Sequence, residues 1–204
     1  MKEIKKLLRK IRKREPKIIE FLSDKDYKKI KECEKPFHKA IMLFIANTGL
    51  RLAELQRLTF SDVYLPNWSI KHSLRVRKGE AGIFFRDINL NITAKDCIKV
   101  FYEEAKKRLS EKLNFESPLI ISKKASRLTR EHLATILRNF AWGKNIEKLT
   151  PLMLRDYFAV SLVKAGLNLK AIKDIMGYRS IVTTHDRYGN TSSEHIQEHV
   201  DKIG

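Results

Sequence analysis

Apolar residues recur at helical spacing along most of the chain and alternate in only one stretch. Residues 1–15 carry a stripe of Ile4, Leu7, Leu8 and Ile11 among lysines and arginines, closed by Pro16. In FLSDKDYKKIKEC, Ser23 or Asp24 can cap a helix ahead of Tyr27 and Ile30. The next expected helix, 36–47, is apolar without a break from Ile41 to Ile45, as in a helix buried on all sides. Thr48-Gly49 interrupts it, and a helix over 52–58 follows at once, with Ser61-Asp62 beyond. A longer amphipathic helix is expected over 93–112, with Ile98, Phe101, Ala105 and Leu109 on one face. After a loop or short extended piece at 117–124, helices are expected over 129–142 (capped by Thr129), 151–165, 169–176 and 183–188. Ile196, Val200 and Ile203 outline a tail helix within 191–203.

The alternating stretch begins after Pro66-Asn67. Trp68 and Ile70, then Leu74 and Val76, then Ile83, Phe85, Ile88 and Leu90 predict three short strands, with Lys78-Gly79-Glu80 at a hairpin turn. The expected fold is therefore mainly α with a small three-stranded antiparallel sheet. Helices and strands do not alternate, which excludes a doubly wound sheet or an α/β barrel. Residues 1–17 read as a basic helix or linker, 18–190 as the main domain and 191–204 as a tail.

Charge sharpens this picture. Lysine and arginine outnumber aspartate and glutamate by 42 to 24, for a net charge of +18. Such an excess favours a polyanionic partner, because each neutralised phosphate releases counterions. Nucleic acid fits this better than acidic lipid. No apolar run approaches the ~20 residues of a membrane span, and the basic start lacks the apolar stretch of a secretory leader. Cys33 and Cys97 have no metal-ligand spacing and form no disulfide framework, so a reduced, cytoplasmic setting and no metal are expected.

Cleaving a phosphodiester without a metal requires a nucleophile, positive charge on the phosphoryl oxygens and a proton for the leaving oxygen. Arginine suits the second role, since its planar fork grips two oxygens at once. Three segments supply such groups in order: NTGLRLAELQRLTFSDV at 47–63, LTPLMLRDYFAVSLVKAGLNLKAIKDIMGY at 149–178 and TTHDRYG at 183–189.

Together these segments resemble the catalytic domain of the tyrosine recombinases, or phage-type integrases, over about residues 21–190. The resemblance implies a recombinase that cleaves and rejoins DNA strands through a 3′-phosphotyrosine link. In it Tyr188 matches the nucleophile, Arg51 and Arg155 match the two arginines that hold the phosphate, and Glu54 matches the acid that supports them. Lys78, in the expected hairpin turn, matches the lysine that protonates the leaving 5′ oxygen. No cofactor is implied, because the phosphotyrosyl bond conserves the energy of the phosphodiester. Arg75, Arg77 and Arg86 around the hairpin and Arg179 after the glycine turn are candidate DNA contacts.

Two positions depart from the family pattern. Leu152 stands where a histidine is usual, and Tyr178 where histidine or tryptophan follows the glycine. Leucine moves no proton; tyrosine offers one hydroxyl, with a pKa near ~10. His185 can stand in for a missing histidine or be an exposed helix residue. Plainer readings stand beside these: Arg51 bridging Glu54 only, Arg155 pairing with Asp156 at the core rim, and Tyr188 packing at a helix end. The partners implied are double-stranded DNA and further copies of the chain, as a tetramer on DNA. The tail then docks on a neighbour or folds back. The family's N-terminal helical domain, which closes the DNA clamp, is not expected in the residues before 21: either the sequence is a fragment of a longer protein, or the protein is minimal and its basic helix at 2–14 does part of that work. The departures also leave open a second reading, a recombinase-fold DNA-binding regulator without turnover.

Overall fold

The computed structural model describes residues 21–78, 84–178, 180–182, 184–185 and 187–188, with backbone alone at 77, 78 and 84. The basic stripe at 1–15, the turn at 79–80, Ile83, Arg179 and the tail at 191–203 lie outside the described residues. Ten named elements follow in order: α1 (Asp24–Lys31), α2 (Pro36–Thr48), α3 (Leu52–Arg57), α4 (Phe60–Val63), β1 (Ser73–Lys78), β2 (Phe84–Asn89), α5 (Ile92–Leu109), α6 (Arg130–Gly143), α7 (Pro151–Lys164) and α8 (Leu169–Met176). The described positions from 181 to 188 are helical as well.

Helix α2 is the axis of the domain. Ala40, Ile41, Met42, Leu43, Phe44, Ile45 and Ala46 are all buried, so every face of its second half meets protein. It packs against α5 on one side and α7 on another. The rings of Phe44 and Phe101 meet edge to face, 5.5 Å apart. Fully burying a side chain of this size contributes about 1.5–3 kcal/mol, which explains why the apolar run centres the fold.

The ends of the helices follow from their capping residues. Ser23, Asn91, Thr129, Thr150 and Asn168 each accept a backbone N–H of the first turn that follows. Gly49 and Gly177 end α2 and α8 in the left-handed region, at φ +60° and +67°. These two glycine turns prove to be the walls of the candidate site.

The sheet is smaller than the alternation suggested. Among the described residues it has two antiparallel strands, β1 and β2, in the register Ser73 opposite Asn89 through Lys78 opposite Phe84. The expected first strand is reduced to an isolated bridge between Tyr64 and Ile70. The reason lies at Trp68, whose φ of +59° breaks any extended run. Its indole stacks on Phe115 at 4.1 Å and neighbours Phe60, Tyr64 and Tyr102, so aromatic packing rather than strand pairing explains the apolar residues there. Strand β2 does alternate: Arg86 and Ile88 face inward, and Phe85 and Asp87 outward.

Candidate active site

The C-terminal end of α8 leaves three successive carbonyls without helical partners, as any helix end does. Each is taken by a different arginine. Arg86 donates Nη1 to Ile175 O, Arg155 donates Nη2 to Met176 O at 2.5 Å, and Arg51 donates Nη2 to Gly177 O at 2.8 Å. The three arginines come from β2, α7 and the turn between α2 and α3, separated by as much as a hundred residues of chain.

A single carboxylate joins them. Glu54, on the first turn of α3, accepts Arg51 Nη1 on Oε1 at 2.9 Å. Its Oε2 accepts the Arg51 backbone N–H at 2.7 Å and Arg86 Nη2 at 2.6 Å. Arg155 Nη1 lies 4.0 Å from the same oxygen and donates to Gly49 O. Burial works to raise the Glu54 pKa, but Arg86 and Arg51 outweigh it, and the net shift is downward. For Arg86 and Arg155 burial lowers the pKa, and in both Glu54 acts in the opposite direction.

Tyr178 follows directly on Gly177. Its ring lies under two of the guanidiniums, 5.8 Å from that of Arg51 and 5.2 Å from that of Arg155, as cations sit over aromatic faces. Its hydroxyl is 2.9 Å from the hydroxyl of Tyr188. Tyr188 in turn donates to Asp156 Oδ1 at 2.6 Å, and Arg187 donates to Asp156 Oδ2 at 2.5 Å. Tyr188 is fully buried among Ala159, Val163, Ile172 and Met176. Burial, then the Asp156 charge and Tyr178, push its pKa far above that of a free tyrosine. A charged pocket and a phenol are thus linked through Tyr178, while the phenol stays protonated and out of solvent.

Comparisons with known proteins show the family. The model of the phage integrase family matches residues 13–195. The chain belongs to the phage integrase family. It is 29% identical over 149 residues to the tyrosine recombinase XerC of Roseiflexus sp. (strain RS-1), covering 72% of this chain and 45% of that protein. It is 31% identical over 148 residues to the tyrosine recombinase XerD of Oceanobacillus iheyensis, covering 72% and 48%. The chain therefore spans about half the length of the curated relatives it matches. Among solved structures, XerA recombinase superposes with a TM-score of 0.74 at 24% identity, covering 89% of this chain and 65% of that one. The catalytic domain of bacteriophage HP1 integrase gives 0.57 at 20% identity, covering 90% and 94%. These likenesses establish a phage-integrase catalytic-domain fold.

Against that family pattern, the structure brings Arg51, Glu54, Arg155, Tyr178 and Tyr188 into one connected group. The plainer readings are partly realised too: Arg51 does bridge Glu54, but Asp156 pairs with Arg187 instead of Arg155. Lys78 closes β1 opposite Phe84, and Arg77 stands opposite Phe85, each described as backbone only. Arg75 is exposed over the Phe85 ring at 4.8 Å. Arg86 departs from its expected place on the DNA side, because the pleat turns it inward and leaves it 7% exposed. Leu152 is half-exposed on the first turn of α7, and His185 is exposed. Sequence reasoning missed the role of Asp156 as the partner of Tyr188. Its signal was an acid in an otherwise apolar run, DYFAV, next to a motif arginine.

Proposed function

We propose that this chain is the catalytic part of a site-specific DNA recombinase that cuts and rejoins duplex strands through Tyr188. The observation that carries the reading is the convergence of Arg51 and Arg155 beside Tyr178, whose hydroxyl reaches Tyr188. Guanidiniums suit the non-bridging oxygens of a phosphodiester; Arg51 is 38% exposed, whereas Arg155 is 4% exposed and has to be uncovered to meet them. The Tyr188 oxygen attacks phosphorus as its proton passes to solvent water, and the 5′ oxygen leaves with a proton from Lys78. The product is a 3′-phosphotyrosyl link, which the 5′ hydroxyl of another strand reverses. Since Tyr188 is buried in the free protein, the segment at 181–188 moves before attack.

The family relatives and the net charge of +18 support duplex DNA as substrate. Arg75, Arg77 and Arg179 are assigned to its backbone, Tyr178 to hydrogen bonding at the site, and the assembly to a tetramer on DNA, in the cytoplasm and at the nucleoid. The reading is tested with a duplex nicked near the scissile phosphate, which traps a covalent protein–DNA adduct. Tyr188→Phe is expected to abolish the adduct while retaining most of the DNA binding. Wild type that binds the duplex and traps nothing would overturn turnover and leave the binding-only reading, which Leu152 favours.

A further inference from the structure

We propose that Arg86 is a positioning residue for strand cleavage: it holds Glu54 away from Arg155 and so keeps that carboxylate from pairing with a guanidinium assigned to the DNA phosphate. This rests on the recombinase reading above and adds to it a group outside the matched motifs.

The position of Arg86 is unusual for a charge. In β2 it takes an inward place in the same alternation that buries Ile88, and its side chain is 5% exposed. Burying a guanidinium is costly unless its hydrogen bonds are met. Its Nη1 and Nη2 are satisfied by Ile175 O and Glu54 Oε2, whereas Nε is buried without a partner among the described residues. Of its two partners, Glu54 also bonds Arg51 and lies 4.0 Å from Arg155.

Glu54 explains why such a residue is retained. Its single negative charge faces three guanidiniums, and its Oε2 is 2.6 Å from Arg86 Nη2 but 4.0 Å from Arg155 Nη1. With Arg86 removed, Arg51 and Arg155 are the described arginines left beside the carboxylate. A carboxylate closing on Arg155 would occupy the N–H groups that a phosphate needs and neutralise the charge meant for it. Packing enforces the same geometry. A Cβ at Gly177 would come within 2.8 Å of Arg86 Cδ and 3.3 Å of Arg51 Nη1, so the glycine turn is wedged between the two arginines. Arg86 thereby fixes the Gly177 carbonyl that orients Arg51.

The test compares wild type, Arg86→Met, Arg86→Lys and the double variant Arg86→Met with Glu54→Gln. Single-turnover adduct formation at saturating nicked duplex, duplex affinity against salt, and the Nε–H resonances of Arg51 and Arg155 are measured. R86M is expected to slow cleavage by about 100-fold, the scale of a small misplacement at a reacting centre. Affinity and its salt slope should stay as in wild type. R86K should recover part of the rate, since an ammonium holds Glu54 but cannot also reach Ile175 O. The double variant should be no slower than R86M, because no carboxylate remains to close on Arg155. If R86M does not fold, R86K carries the test through the same split between rate and affinity. A salt slope lower by about one would instead make Arg86 a phosphate contact and overturn the proposal. So would R86M cleaving within threefold of wild type with unmoved arginine resonances. Wild type that forms no adduct ends the recombinase reading, while the resonances still decide whether Arg86 sets the geometry of Arg51 and Arg155.

Discussion

The hydroxyl of Tyr188 donates to Asp156 at 2.6 Å, and Asp156 is the residue directly after Arg155. The proposed nucleophile is thus held by the helix that carries one of the proposed phosphate arginines. Arg187 closes the other carboxylate oxygen, so two adjacent residues, 187 and 188, are fastened to the same side chain of α7. Hydrogen bonds to a charged acceptor contribute about 1.5–3 kcal/mol each, enough to keep the phenol docked in the free protein.

Asp156→Asn should loosen this fastening. The amide keeps the shape but loses the charge that attracts Arg187 and the phenol. Adduct formation in the first turnover is expected to rise several-fold, with a loss of stability of about 1–3 kcal/mol for the weakened buried pair. Both are read from nicked-duplex trapping and thermal melting. A slower first turnover at unchanged DNA affinity would argue that Asp156 aids the chemistry itself.

Stability should decline at both extremes of pH, for different residues. Burial, the Asp156 charge and Tyr178 raise the Tyr188 pKa above its unfolded value of 10.0. That contribution is complete below pH 10 and is lost as pH rises further toward the folded value. Burial acts on Tyr64 in the same direction, up to about 12. Glu54 has the opposite sign: its folded pKa lies below 4.5, so its contribution is present above that pH and fades as pH falls through the folded value. Melting temperature against pH checks this, with Glu54→Gln expected to flatten the acid limb and Tyr188→Phe the alkaline one.

Gly177→Ala should damage cleavage more than folding. The left-handed backbone costs a non-glycine residue roughly 1–2 kcal/mol. The added methyl would also sit 2.8 Å from Arg86 Cδ and displace it. Gly49→Ala meets the Phe158 ring at 2.5 Å and the same backbone penalty, and is expected to lower melting as well as activity. Parallel melting and adduct measurements separate the two.

Leu152→His should raise activity at little structural cost. Leu152 is 51% exposed, one turn before Arg155 on α7. An imidazole there titrates near ~6.5 and can exchange a proton with the reacting phosphate. General acid–base groups supply ~10²–10⁴-fold, so a gain of about tenfold or more is expected, with a new pH dependence around neutrality in the adduct rate. No gain at any pH would show that this position does not reach the chemistry.

The helices were legible because their signals are local. Ser23, Thr129 and Pro151 mark their starts, and Gly49 and Gly177 their ends, through backbone geometry that the residue type dictates. The motif arginines and Tyr188 were legible by resemblance. The strand expected around Trp68 was not realised because alternation cannot reveal a left-handed φ or a stack on Phe115, which lies 47 positions further along the chain. The inward turn of Arg86 was hidden for a related reason. A strand residue's face is set by register, and a charge at an inward place reads as outward until its partners, here Glu54 and Ile175, are known.

The arginine-capped end of α8 has a consequence for the time between DNA encounters. A helix C-terminus carries roughly half a negative charge, spread over its last carbonyls. Here each of those carbonyls accepts from a different guanidinium. Mutual repulsion among three like charges is thereby balanced by groups that cannot diffuse away. The cluster of like charges therefore holds its arrangement through the fold itself, with no bound counterion required.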